Sequence, residues 1–163
     1  MSVTTVVSDS TPEQTHTTLE FIKTGSNTIS NVSYNDFCFI QTLDSKYEYI
    51  IKNVLEDYMY ELNNLAIAVE LTSDEKTTYK YNPKKMAYDI YGSTSLYHII
   101  LRLNNLCNVH EFDLSTSDYI KLLTRTDLAE ALSSIYNSNS AMISAYNSAH
   151  ENDTTETEIT YYK

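Results

Sequence analysis

A short segment bounded by a proline and a glycine constrains the fold of this chain most. Asn82 and Pro83 form a strong helix start, because the Asn side chain can accept from an unpaired amide and proline suits the first helical position. Met86 and Ile90 then fall on one face. Gly92 follows where a left-handed residue can end the helix without a Cβ penalty. The sequence therefore predicts a short amphipathic helix that stops at Gly92.

A second short helix is predicted directly after the glycine. Ser93 or Thr94 can cap it, and Asn104 with Asn105 supplies its end. Its apolar residues follow the spacing i, i+3, i+4, i+7 and form one narrow seam: Leu96, Ile99, Ile100 and Leu103.

Two helices this short are marginal in water on propensity alone, so they have to bury their seams against each other and against a flat surface. The extended runs TTYKY, residues 77–81, and EFDL, residues 111–114, flank the helices and are predicted to be the strands of a small sheet. The expected centre of the molecule is therefore a strand, two helices and a strand.

The chain before this centre is predicted to contain an arm, extended segments and one long helix. Residues 1–18 are rich in Ser and Thr and are expected to be loose alone. Residues 19–40 suggest short strands or an extended segment. Helical spacings of apolar residues predict a long helix over 44–65. Residues 67–72 and 77–81, separated by SDEK, predict a β-hairpin.

The chain after this centre is predicted to hold two helices and a tail. Ser117 and Asp118 can cap the first helix, and Thr126 can cap the second. The apolar period then fades into Glu, Asp and Thr, which predicts a mobile acidic tail. The fold class expected is α+β with flexible termini, divided as an arm 1–18, a segment 19–76, a centre 77–115, C-terminal helices 116–148 and a tail 149–163.

Charge and composition exclude several function classes. The formal net charge is -11, from 22 acidic against 11 basic residues, and its field repels phosphate backbones and anionic lipids. No apolar run approaches the roughly 20 residues that span a bilayer, and no signal peptide is evident at MSVTTVVSDS. We expect a chain made in the cytoplasm that binds neither nucleic acid nor membrane. Cys38 and Cys107 are expected to be free, buried thiols.

No catalytic or metal-binding motif is present in the sequence. There is no Gly-x-Ser-x-Gly elbow, His-Glu-x-x-His helix or phosphate loop. Cys107 and His110 have the spacing of half a zinc site, with His98 nearby, but a closed structural site needs four ligands and no second pair accompanies them. We therefore predict no enzyme activity, no metal and no cofactor.

Tyrosine is unusually abundant, with 15 residues and no tryptophan. A tyrosine offers a large apolar ring with a polar tip, which suits surfaces that become buried against partners. The alternative is that many of these rings complete a small core. Composition alone leaves both open.

The order strand, helix, glycine turn, helix, strand over residues 79–114 resembles a LysM domain. More narrowly, YNPKKMAYDIYGSTSLYHIILRLNN is similar to the LysM-like segment of the small baseplate wedge subunit of T4-like contractile-tailed bacteriophages. Tryptophan often stands in that family where this chain has His98. The features that carry the resemblance are Pro83, Ile90, Tyr91, Gly92, Tyr97, His98 and Asn104.

The resemblance implies a LysM-like βααβ centre in a structural protein of the virion. Such a subunit is not an enzyme and joins neighbouring wedge proteins around the tail hub, next to the first sheath-initiating subunits and in multiple copies. The residues expected to contact partners are Tyr88, Tyr91, Tyr97, His98, Asn104, Tyr161 and Tyr162.

The alternative that the resemblance leaves open is a module that binds peptidoglycan or a chitin-type glycan. A glycan-binding LysM domain uses the loop after its first strand and the loop after its second helix. Here the first of these loops is only NPKK, without the Gly-Asp-Thr type of turn that gives a sugar access to backbone donors. This favours the assembly role.

Overall fold

The computed structural model describes residues 17–24, 29 and 33–154. They form a mixed α+β protein, which confirms the expected fold class. The chain divides into two units, the first formed by Met1–Val32 and Met59–Ala131 and the second by Ser33–Tyr58 and Leu132–Lys163. Residues 59–76 and 116–131 therefore share a unit with the predicted centre 77–115. None of the described helices is both long and apolar enough to cross a bilayer.

The first unit contains a small sheet and a set of short helices. Its strands are β1 (Thr17–Thr18), β4 (Ile67–Glu70) and β5 (Tyr119–Leu122), and its helices are α1 (Leu19–Lys23), α2 (Met59–Leu65), α3 (Ser73–Tyr79), α4 (Pro83–Tyr91) and α5 (Tyr97–Leu103). The second unit contains strands β2 (Cys38–Leu43) and β3 (Tyr47–Asn53). Helix α6 (Arg125–Ala149) begins in the first unit, and its residues from Leu132 onward belong to the second.

The predicted helix pair is confirmed. Asn82 caps α4 by accepting a hydrogen bond from Lys85 N at 3.2 Å, with Pro83 at the start of the helix. Gly92 ends α4 in the left-handed conformation, at φ 82°. The second helix starts later than predicted, because residues 94–96 form a 3-10 turn before α5 and Ser93 makes no capping bond. Both apolar seams are buried, including Met86, Ile90, Leu96, Ile99, Ile100 and Leu103.

The strands that accompany the helix pair differ from the predicted ones. Strand β4 pairs antiparallel with β5, from Ile67 opposite Leu122 to Glu70 opposite Tyr119, and β1 adds in parallel to β4. The predicted strand 77–81 is wrong, since Ser73–Tyr79 is helical. The predicted strand 111–114 is also wrong, because 3-10 turns at Val109–Glu111 and Leu114–Thr116 bracket a fully buried Phe112.

A capping box explains why the predicted hairpin over 67–81 is half helix. Thr72 accepts from Glu75 N at 3.2 Å, and the Glu75 side chain accepts from Thr72 N at 2.9 Å. This reciprocal pair satisfies two amides that would otherwise be unpaired at the start of α3. The polar run SDEK is therefore the first turn of a helix rather than a loop between strands. Only the first strand of the predicted hairpin exists, as β4.

The long helix predicted over 44–65 is replaced by a hairpin strand, a 3-10 turn and a short helix. Asp44 and Ser45 both have positive φ, at 54° and 57°, and Lys46 N donates to Leu43 O at 3.0 Å. Left-handed residues at a tight turn match the twist of paired strands. The β-branched and aromatic run YEYII after that turn favours β3 over a helix.

The C-terminal part also departs from the prediction. Tyr119–Leu122, predicted as helix, is strand β5, with Ile120 and Leu122 buried and Tyr119 and Lys121 exposed. This alternation fits a strand with one buried face. Helix α6 then continues without interruption to Ala149.

The predicted termini are only partly described. Thr17–Thr18 pairs with β4, although it lay in the arm predicted to be loose, and Leu19–Lys23 is helical rather than extended. In the predicted tail, Asp153 forms a parallel bridge with Leu43. The arm residues 1–16 and the tail residues 155–163 lie outside the described residues.

The two cysteines differ in their surroundings. Both are free, but Cys38 is buried and Cys107 is exposed, so the expectation of two buried thiols is wrong for Cys107. Burial raises the pKa of Cys38 to about 11, an effect that the Asn53 side chain partly offsets.

Replacing Thr72 with Ala should destabilise the first unit by about 1 kcal/mol, because the Glu75 amide loses its capping acceptor. Equilibrium urea denaturation followed by circular dichroism measures this change. Ser73→Ala, one residue further on, is the control and should have little effect. Equal stability of the two variants would contradict the capping box.

At pH 8 the native chain should react with iodoacetamide at Cys107 only, since Cys38 is buried and burial raises the pKa of its thiol to about 11. Mass spectrometry should find one modified thiol before and two after unfolding in urea. Similar rates at both cysteines in the native chain would show that Cys38 is not shielded.

Candidate functional site

The helix pair α4–α5 places the predicted contact residues in two groups. Tyr91 and Asn104 lie toward the sheet, whereas Tyr88 and Tyr97 are accessible to solvent. Tyr161 and Tyr162 lie outside the described residues.

Tyr91 is a core residue and not a surface contact, since only 1 % of it is exposed. Its hydroxyl donates to Leu123 O at 2.7 Å and accepts from Leu123 N at 3.2 Å. Burial raises the pKa of Tyr91 above its usual range. A neutral hydroxyl that both donates and accepts is well suited to complete the hydrogen bonds of one buried backbone position.

Asn104 has a similar structural role. Its Nδ2 donates to Ile100 O at 2.8 Å and to Lys121 O at 3.0 Å, and its Oδ1 accepts from Lys121 N at 2.8 Å. The amide side chain thus pairs with Lys121 as a neighbouring strand would. Asn104 fixes the end of α5 to β5 and is occupied by these bonds.

His98 is half-buried within the helix pair. Its Nδ1 lies 2.6 Å from Ser95 O, and its ring packs edge-on against the ring of Tyr97, with centroids 6.4 Å apart. These contacts hold the imidazole close to its own turn. They fit a structural role better than the partner contact that the resemblance implies.

The exposed part of the helix pair is an aromatic and cationic surface. Lys84 Nζ lies 5.1 Å from the centre of the Tyr97 ring, and Tyr88 is 60 % exposed one helical turn beyond Lys84. Lys84 is exposed and Tyr97 is half-buried, and a cation over an aromatic ring near the surface is worth about 0.5–1 kcal/mol. We call these three residues, Lys84, Tyr88 and Tyr97, the tyrosine–lysine face. The contact with Tyr97 offsets the unfavourable position of Lys84 near the start of α4.

A second tyrosine and lysine cluster precedes α4 and was not predicted from the sequence. Lys80 Nζ lies 5.3 Å from the centre of the Tyr81 ring and 3.8 Å from Asp113. The Tyr81 hydroxyl is 3.4 Å from the same carboxylate. Hydrogen bonds from Ser115, assisted by the charge of Lys80, lower the pKa of Asp113. Tyr81 has positive φ, at 58°, a left-handed conformation that the sequence does not signal.

The connection after β4 and the loop after α5 meet where the pairing of β4 with β5 ends. Leu71 N donates to Asp118 O at 3.0 Å, and Lys76 Nζ of α3 lies 2.8 Å from the Asp118 carboxylate. This contact with Lys76 lowers the pKa of Asp118. The cavity beside the second loop has a volume of about 120 Å³, and Asn104, Glu111, Phe112 and Tyr119 are among the residues that line it. It is smaller than the roughly 300–1,000 Å³ of typical ligand pockets.

A second cavity of about 230 Å³ lies beside the start of α6 and is lined by Phe21, Ile22, Thr24, Thr124, Arg125 and Thr126. Arg125 Nε donates to Ile90 O at 2.5 Å, which directs the guanidinium to the end of α4. The side chain thereby satisfies a carbonyl in the last turn of a helix. Among the described residues we find no convergent set of polar groups that would orient a ligand in this cavity.

The described residues contain no cluster of three or more His, Cys, Asp or Glu side chains that could hold a metal ion. Cys107 and His110 are both accessible to solvent, and Cys107 N donates to the Glu111 carboxylate at 2.6 Å. The half zinc site considered from the sequence thus gains no further ligand within the described part of the chain.

Comparisons of this chain with family models, with curated proteins and with solved structures give no match. A functional proposal therefore draws on the chain's own geometry and on the resemblance seen in its sequence.

Replacing Tyr91 with Phe should lower the free energy of unfolding by about 1–3 kcal/mol, because Leu123 N and O lose their buried partner. The measurement is urea denaturation. Tyr88→Phe removes the same hydroxyl from an exposed ring and should change stability little. If the two variants were equally stable, the hydroxyl of Tyr91 would not hold the helix pair to the sheet.

Proposed function

We propose that this protein is a non-enzymatic structural component of a contractile phage tail baseplate wedge, which joins neighbouring wedge proteins around the tail hub. The observation that carries this proposal is the tyrosine–lysine face on a helix pair whose other side is fixed to a sheet. Rigid support matters, because a preformed surface loses less conformational entropy when it binds. Tyrosine is also among the residues that dominate binding energy at interfaces.

The arrangement of α4 and α5 over β4 and β5 supports the LysM-like part of the proposal. Two antiparallel strands flank the helices in sequence, and the helix pair lies between them in chain order. Helix α3 is an addition to the strand, helix, helix, strand order implied by the resemblance. It occupies the connection after the first strand, where a sugar-binding member would keep an open loop.

Exposed tyrosines support an adhesive role beyond this one face. Large apolar rings that are exposed to water contribute favourable binding free energy when a partner buries them. In the described part of the chain the exposed tyrosines outside α2 include Tyr47, Tyr49, Tyr81, Tyr88, Tyr119 and Tyr136. Several copies around a ring would add avidity to contacts that are weak singly.

The glycan-binding alternative has less support. The small cavity beside Asn104 leaves little room for a saccharide. Placement in the virion, and the identity of the partners as wedge and sheath-initiating proteins, follow from the resemblance and remain part of the proposal.

Co-expression with the other wedge proteins of a T4-like phage should yield a stable complex, whereas a peptidoglycan pull-down should not retain the protein. Tyr88→Ala should weaken the complex about tenfold or more by biolayer interferometry, because an exposed aromatic anchor is lost.

Tyr60→Ala is the matched control, because Tyr60 is 75 % exposed on α2. It should leave the affinity nearly unchanged. Retention on peptidoglycan without any wedge complex would reverse the preference between the two functions. A complex that tolerates Tyr88→Ala would place the interface on another surface.

A further inference from the structure

The short segment that follows α6 runs along the outer edge of β2, within the second unit. Thr42 N donates to His150 O at 2.9 Å, and Asp153 N donates to Thr42 O at 3.1 Å. Asp44 N donates to Asp153 O at 2.8 Å. These bonds form a parallel bridge, and we call residues 150–154 the strap. The strap takes the place of a further strand beside β2.

The Asp153 carboxylate joins the strap to β2 through side chains as well. Its Oδ2 lies 2.7 Å from His150 Nδ1 and accepts a hydrogen bond from Gln41 Nε2 at 2.9 Å. The hydrogen bonds from His150 and Gln41 lower the pKa of Asp153, so the group is ionised at neutral pH. An ionised carboxylate only accepts, and His150 is therefore the donor in their contact. Hydrogen bonds to an ionised group are roughly twice as strong as neutral ones.

The imidazole of His150 is held in position by aromatic contacts. Its ring lies against the ring of Tyr146 in the last turns of α6, with centroids 4.2 Å apart. The Tyr146 ring in turn packs edge-on against Phe39 of β2, with centroids 5.3 Å apart. Helix α6 and β2 thus orient the donor that meets Asp153.

The strap buries very little surface of its own. None of its five residues is apolar, and Glu151, Asn152 and Thr154 are exposed, whereas His150 and Asp153 are only partly buried. Segments with few buried apolar contacts and accessible backbone hydrogen bonds open at the lowest free energy in a folded protein. The polar contacts of Asp153 are therefore a large part of what keeps the strap closed.

The neighbouring part of the same edge is closed in a different way. Ile40 N donates to the Asn147 side chain at 2.7 Å, and Asn147 Nδ2 donates to Cys38 O at 3.1 Å. Asn147 belongs to α6, which is anchored in the second unit by the buried side chain of Ile143. Removing Asn147 from the edge requires a movement of the helix, whereas the strap can leave without one.

We propose that the strap is a releasable cover, latched by Asp153, which opens while the rest of the second unit stays folded and so controls access to the outer edge of β2. A sheet edge with unpaired N–H and C=O groups is a template for pairing with another chain. In the closed state the N–H groups of Thr42 and Asp44 and the C=O group of Thr42 are bonded to the strap. The strap is thus an intramolecular competitor of any extended segment that would add to β2.

Native-state hydrogen exchange of the full chain, followed by NMR, tests the proposal. In the wild type the amides of Thr42 and Asp44 should be protected at least about tenfold less than the amide of Ile40. Asp153→Ala removes the acceptor shared by His150 and Gln41. It should lower the protection of Thr42 and Asp44 by a further factor of about ten or more and leave Ile40 unchanged.

Glu151→Ala is the matched control, because it removes a carboxylate from the same segment at an exposed position. It should leave all three amides as they are in the wild type. Equal protection of the three amides in the wild type would overturn the proposal, since the strap would then open only together with α6. Unchanged protection of Thr42 and Asp44 in Asp153→Ala, or an equal loss at Ile40, would also overturn it. These measurements use the free chain alone, so the proposed function can stand or fail separately.

Discussion

Completion of strand edges by side chains is the interaction on which the rest of this structure depends. Lys121 and Leu123, two residues apart, direct their backbone groups to the outer side of β5, where Asn104 and Tyr91 meet them. Without these two side chains the edge of β5 would be open, and an open edge is a template for pairing with another chain. The helix pair therefore closes the sheet as well as covering it. Loss of either side chain would expose an edge and release α4–α5 from its support.

The second unit uses the same device with a different residue. Asn147 accepts from Ile40 N and donates to Cys38 O, which closes the β2 edge. The two asparagines, Asn104 and Asn147, thus do for β5 and β2 what a further strand would do. Within the described residues, β3 pairs with β2 alone and has no comparable closure on its other edge.

The sequence predicted the elements that have sharp local boundaries and failed where local signals were ambiguous. The helix from Pro83 to Gly92 was predictable because a cap, a proline and a left-handed glycine act within one segment. The run after Asp44 carries apolar residues at spacings that suit both a helix and a strand, and only its turn conformation decides between them. The capping box at Thr72 was a usable signal that the hairpin interpretation overlooked. The contact roles of Tyr91 and Asn104 could not be separated from core roles, because their partners lie far along the chain.

The abundance of tyrosine resolves into two physical uses of the same side chain. Tyr79 and Tyr91 are buried, and each directs its hydroxyl to an acceptor, Asp89 Oδ2 in one case and Leu123 O in the other. A phenylalanine in place of Tyr91 would leave Leu123 O without this donor, and one in place of Tyr79 would leave Asp89 with Lys85 Nζ at 3.4 Å. The rings of the exposed tyrosines are not packed in the core. Their apolar area remains in contact with water, which is unfavourable. The high net negative charge makes free copies of such a chain repel one another. The proposed adhesive role and a high net charge are therefore compatible in one sequence, because charge acts over longer distances than aromatic contact.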